Sequence, residues 1–101
     1  MIIEGHRGAM GTLFVTVNGE PLTPEASLRV VNHSPTGFEC GYAGSGPAQL
    51  ALALLLRAGL SRDRAVWLHQ PFKRQFVQYW HAPFTVTVDV GAWVASDRAR
   101  T

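Results

Sequence analysis

Cys40 stands beside Glu39, and His33 lies seven residues earlier, so one short stretch holds the ingredients of thiol chemistry. A thiol nucleophile needs a lowered pKa, a base in reach and an oxyanion hole. Nothing in the spacing assembles these, and Cys40 reads as a small apolar filler. The glycines that follow, Gly41-Tyr42-Ala43-Gly44-Ser45-Gly46, run into a helix start at Pro47. Free N–H groups and the helix dipole at such a start favour an anion. The candidate loop therefore comprises His33, Glu39, Tyr42, Gly44, Ser45, Gly46 and Gln49. It is not a P-loop, because no Gly-Lys-Ser/Thr follows, and its spacing is wrong for a dinucleotide fold. The competing duty is structural: glycines let a loop pass close to a sheet and take left-handed angles. Glu39 is expected to cap loop amides, and Gln49 to tie the helix start to the loop.

A second constellation lies further on. Arg62, Arg64, Lys73 and Arg74 give this region a charge of +3 against Asp63, and Trp67 sits among them. Such a face could hold a nucleic-acid backbone and stack a base. Four basic residues over thirteen positions are sparse for that purpose, and an ordinary solvated face is the favoured reading. His6, His33, His69 and His81 are too scattered for a zinc spacing, so no metal is expected. The acidic residues are dispersed, no paired carboxylates suit acid–base work, and neither a cofactor nor an enzymatic activity is expected.

The elements that must position these residues can be read in outline. Residues 1–10 show no period and read equally as a frayed arm or a short edge strand. Thr12 to Val17 alternates, with Leu13, Val15 and Val17 on one face, and Asn18-Gly19 supplies a tight hairpin turn. Pro21 and Pro24 place residues 20–25 at an edge or in a loop, before Ser27 to Asn32 resumes as a strand. After the 33–46 loop, Ser45 or Gly46 caps a helix whose residues Ala48 to Ala58 are apolar on nearly all sides, hence central and buried. Gly59 ends it. Ser61 caps a second helix with Asp63 in its first turn, and Ala65, Leu68, Phe72, Phe76, Tyr79 and Trp80 share its core face. Pro71 predicts a kink or a division into two short helices. Without a kink, Trp67 lies on the polar face; a kink could instead turn it inward. Phe84 to Val90 alternates cleanly as a strand, Ala92-Trp93-Val94 adds a short apolar piece, and Ser96 to Thr101 reads as a mobile tail. The order ββ–αα–β predicts one α+β domain over residues 1–101, a three- or four-stranded, mainly antiparallel sheet packed on two helices.

Composition narrows the function classes. The chain has 101 residues, 47% hydrophobic and only 16% charged. It is globular, and a surface so poor in charge leaves self-association open. The net charge of +2, from nine basic and seven acidic residues, excludes mimicry of DNA by an acidic surface and is weak for a duplex binder. The single cysteine suits a reducing compartment. With no charged-then-apolar leader, and a longest apolar run (Leu50 to Leu56) far short of the about 20 residues of a membrane span, a cytoplasmic location without membrane attachment is expected.

Residues 32–56 resemble NHSPTGFEWGYGGSGPAQLALALL, the signature of a small family of unknown function spread through bacteria, archaea, plasmids and phages. The likeness is strong over about residues 27–56 and looser at Gln70-x-Phe72-Lys73 and Trp93. Cys40 replaces the signature's Trp and Ala43 its Gly, which speaks against a family-wide cysteine mechanism. Pro71 departs from a helix that runs on without proline in relatives. The resemblance implies no activity. Carriage on phages and plasmids, with the small size and the absent catalytic set, leads to the expectation of a non-enzymatic domain that binds a protein partner, for instance an inhibitor of a host defence complex of the anti-CRISPR kind. The rival is binding of nucleic acid or nucleotide phosphate through the glycine loop and the basic helix.

Overall fold

The computed structural model describes residues 1–98. Its elements are β1 (Ile2–Arg7), β2 (Leu13–Val17), β3 (Glu20–Leu22), α1 (Glu25–Leu28), α2 (Ser45–Arg57), α3 (Arg62–Gln75), a 3-10 turn (Val77–Tyr79), β4 (Phe84–Thr87) and α4 (Val90–Arg98). The strands form one antiparallel sheet in the order β3-β2-β1-β4. The architecture is the α+β sandwich expected, with four strands.

The first strand is neither frayed nor at an edge. It pairs with β2 on one side and β4 on the other, and its inward residues are Ile3 and Gly5. Glycine at position 5 hides the period, and it is there for a reason: Phe84 stands opposite in register, and its ring occupies the space a Cβ would need. Leu13, Val15 and Val17 face the core as expected, and Asn18 (φ 51°) and Gly19 (φ 83°) make the hairpin turn. β3 is a three-residue edge. Its Pro21 faces Thr16, where the missing N–H points away from β2.

Ser27 to Asn32 is not a strand. Glu25–Leu28 is a short helix, and irregular chain follows it to the start of α2. Ser27 turns its hydroxyl back to the carbonyl of Pro24 at 2.8 Å, a local bond that competes with a strand ladder.

α2 is capped by Gly44, carries Pro47 in its first turn and ends before Gly59 at φ 98°. Ten successive residues, Gly46 to Leu55, are buried, so this helix is the centre of the domain. α3 begins at Ser61, whose hydroxyl accepts from the Arg64 amide. It runs unbroken through Pro71 to Gln75, and the break comes later, at Phe76 (φ −124°, ψ −68°). The bond Pro71 forgoes is the one to the Trp67 carbonyl, on the outward side of the helix where water can replace it. Ala65, Leu68, Phe72 and Trp80 are buried, whereas Tyr79 is exposed because the chain has left the helix before reaching it.

The last strand stops at Thr87. Val88 and Val90 remain buried, but Val90 already opens α4, which takes in Trp93 and continues through Arg98. Asp89 accepts from the Ala92 amide at 2.9 Å, an N-terminal cap. Trp93 packs edge-on against Phe72, and its indole N–H donates to Gln75. Of the expected mobile tail, Ser96 falls within α4 and residues 99–101 lie outside the described residues. Among the described residues, no helix is long and apolar enough to cross a membrane.

Candidate functional site

Three regions carry the polar and exposed groups that folding leaves over. The first is centred on Gln49, the one polar side chain within the buried part of α2, with no solvent exposure. A buried amide has to meet both its acceptor and its donors. Its Oε1 accepts from the amides of His33 (2.8 Å) and Ser34 (3.2 Å), and its Nε2 donates to Ser27 Oγ (2.8 Å) and to the Val31 carbonyl (3.0 Å). Gln49 thus ties the irregular chain to α2, as expected of it, although it reaches residues 27–34 and not its own helix cap. Among the described residues, the His33 ring bonds no backbone. Its Nε2 meets Nε2 of His69 at 2.9 Å, and burial pushes the His69 pKa below the ordinary value.

The glycine loop is packed. Phe38 and Cys40 are buried, and burial raises the Cys40 thiol pKa. Tyr42 is exposed, its ring lying where a Cβ on Gly44 would be, while Glu39 presses on Gly46 in the same way. Ser45, the first residue of α2, is exposed. Glu39 does not cap loop amides with its whole carboxylate. It forms a two-pronged pair with Arg7 (2.8 and 3.1 Å), which holds its pKa down. Glu39 Cβ and Cγ fill the space beside Gly46 while its carboxylate is turned to Arg7, so this geometry favours the packing duty of the glycines.

The second region is a groove of about 700 Å³ beside β2, within the size range of ligand pockets. β3 ends at Leu22, opposite Val15. Continued, that register would bring Pro24 to Leu13, but Pro24 has no N–H to give and is already the helical N-cap of α1. A two-residue hairpin directs the backbone groups of Leu13, Val15 and Val17 toward β3. The Leu13 pair is therefore left without a strand beside it. Phe14, Leu22, Thr23, Thr36 and Phe38 line this opening, and Glu25 and Glu39 stand at its margin. Phe14, half exposed, stacks on His6 at 5.6 Å on the open face of the sheet, and Met10 at 93% exposure lies at one end.

The third region is the outward face of α3. Trp67 is 74% exposed, so the unbroken helix keeps it on the polar face. Helical spacing sets Arg64 and Arg74 on the same side as Trp67, with Arg62 and Lys73 flanking. None of these four cations forms an ion pair among the described residues, where the pairs are Arg7–Glu39 and Arg57–Glu20. The two candidate sets of the sequence thus stay apart: the loop residues pack around α2, the basic residues line the outside of α3.

Sequence reasoning missed His69, Ser27, Arg7 and the groove. His69 had a signal, being four residues after Ala65 and next to Leu68 on the core-facing side, where a polar ring must find a partner. Arg7 and Leu13 had none, since their roles depend on which strands pair. Among the described residues, no group of three or more His, Cys, Asp or Glu could hold a metal ion.

No curated protein and no solved structure matches the chain. The model of one family does, over residues 3–96. With the same glycine-loop signature and nearly the whole domain inside that match, the chain belongs to DUF6166, a family of unknown function.

Proposed function

We propose that this is a non-enzymatic binding domain that receives an extended segment of a protein partner in the groove beside β2. The observation that carries the reading is that Leu13 has no β3 partner beside it, in a groove lined by Phe14, Leu22 and Phe38. Strand addition draws affinity from such unpaired main-chain groups and specificity from side-chain pockets beside them. The groove lining contains no lysine or arginine, which suits an apolar segment with basic flanks and disfavours a polyanion. Inhibition of a host defence complex by occupying one of its surfaces is one instance of this reading, supported only by the resemblance noted above.

Selection of displayed peptides on the immobilised protein tests it. Alternating apolar sequences should be enriched, their binding should shift the amide signals of Leu13 and residues 22–23 and 36–39, and Thr36→Trp should abolish it by filling the groove. Enriched peptides that bind Thr36→Trp unchanged, or no enrichment, would refute the reading.

A second reading rests on Trp67 and the unpaired cations around it: single-stranded nucleic acid along α3, with a base stacked on the indole. Replacing both Lys73 and Arg74 with Ala should then reduce the logarithmic salt slope by up to about two, near one per lost phosphate contact. The absence of binding at low salt, or a slope unchanged by the double substitution, would remove it.

A further inference from the structure

His33 and His69 meet head to head. Their Nε2 atoms are 2.9 Å apart, with ring centroids 5.0 Å apart and planes inclined at 36°. That separation fits one hydrogen between the two nitrogens and cannot hold two. His69 Nδ1 lies 2.6 Å from the Val66 carbonyl, which can only accept, so Nδ1 carries the proton and Nε2 offers its lone pair. His33 Nε2 must therefore be the donor. The His69 ring, 4% exposed, cannot turn away without losing Val66.

We propose that the His33–His69 pair is a proton-operated latch that holds the His33 ring, and through it the start of the loop, on α3 and releases it when both rings are protonated. One added proton can be shared, because a neutral His33 can carry its own proton on Nδ1 and accept at Nε2 from protonated His69. With both rings protonated, two N–H groups face each other and no acceptor is left, and the buried His69 is the ring that resists this state.

The surroundings set the direction of the response. Burial is the leading influence on His69; the Val66 and Ala65 carbonyls favour a charged ring, His33 from the loop and Lys73 one turn along α3 oppose it, and the net direction is downward. α2, packed across α3, has only the uncharged Gln49 among its buried polar groups, and the 3-10 turn after α3 brings no carboxylate. The His69 pKa is thus depressed from 6.5 in the latched state. The released state binds the proton more readily, so the latch holds fully above about pH 6.5 and weakens as pH falls below it. Gln49 holds the His33 and Ser34 amides, so what swings free is the His33 ring and the chain from Pro35 on. This inference concerns the loop itself and does not depend on what occupies the groove.

Nuclear magnetic resonance of the whole chain between about pH 7.5 and about pH 5 reads both halves of the latch. The His69 ring should titrate below the ordinary histidine range, and the amides of residues 33–37 should shift with the same midpoint. His69→Gln can still accept from His33 but takes no proton, so the loop should stay at its neutral-pH position throughout. In His33→Gln the amide can donate to neutral His69 and, flipped, accept from the protonated ring, so the loop should likewise stay in place throughout. Loop amides of the unaltered chain that do not follow the His69 titration would overturn the proposal. So would a pH-dependent loop shift that survives in either variant.

Discussion

Gln49→Leu removes the one amide on which the irregular chain before α2 depends, with little change in volume. Four bonds are lost: two from the His33 and Ser34 amides, one to Ser27 Oγ and one to the Val31 carbonyl. Ser27 keeps a partner in Pro24, so three backbone groups are left unpaired in partly buried positions. Each such group costs about 1–3 kcal/mol, and partial access to water puts them at the lower end, about 3–4 kcal/mol in all. The leucine returns roughly 1 kcal/mol through its added apolar surface. The net loss is about 2–3 kcal/mol, a large part of the about 5–15 kcal/mol of a whole domain. At about 4–8 °C per kcal/mol for a chain of this size, the melting temperature should fall by roughly 8–24 °C. Thermal and urea unfolding followed by circular dichroism measures it. A variant as stable as the parent would refute the reasoning, because the amide would then have been replaceable by a hydrocarbon. Gln49→Glu is the companion. It keeps both acceptor contacts but sets a carboxylate against the Val31 carbonyl, which raises its folded-state pKa. Its stability deficit should therefore be full above the raised folded-state pKa and shrink as pH falls from there to the ordinary carboxylate value, as the proton restores a donor.

Leu52 has no solvent exposure at the centre of α2, and Leu52→Ala should cost about 2–5 kcal/mol in urea unfolding. Gly5→Ala drives a methyl group into the Phe84 ring; a lowered melting temperature is expected, recovered in part by Phe84→Leu in the double variant, and additive effects would argue against the contact. The Cys40 thiol is buried with a raised pKa, so a disulfide reagent should modify it slowly at neutral pH and rapidly only in denaturant. Trp67→Ala should leave the melting temperature nearly unchanged, since an indole 74% exposed holds little of the core together.

Several features were determined by the sequence alone because they depend on neighbours in the chain. The Asn18-Gly19 turn follows from backbone sterics, the start of α2 around Pro47 and its end at Gly59 from which residues tolerate helix ends, and the burial of α2 from apolar residues on every side. The family signature was legible for the same reason, as one contiguous string. What the tertiary structure decided is what two distant segments do to each other. Gly5 makes β1 look aperiodic until Phe84 is set beside it. Ser27 looks like the start of a strand until Gln49 and Pro24 take its hydroxyl. Val90 alternates like a strand residue, yet it opens a helix because Asp89 caps the turn and Trp93 finds Phe72. The groove exists because β3 stops at Leu22, opposite Val15, and the chain turns into α1, and the histidine pair because loop and α3 meet thirty-six residues apart. Local sterics can be read along a chain, whereas register and long-range pairing are settled only when the whole core closes.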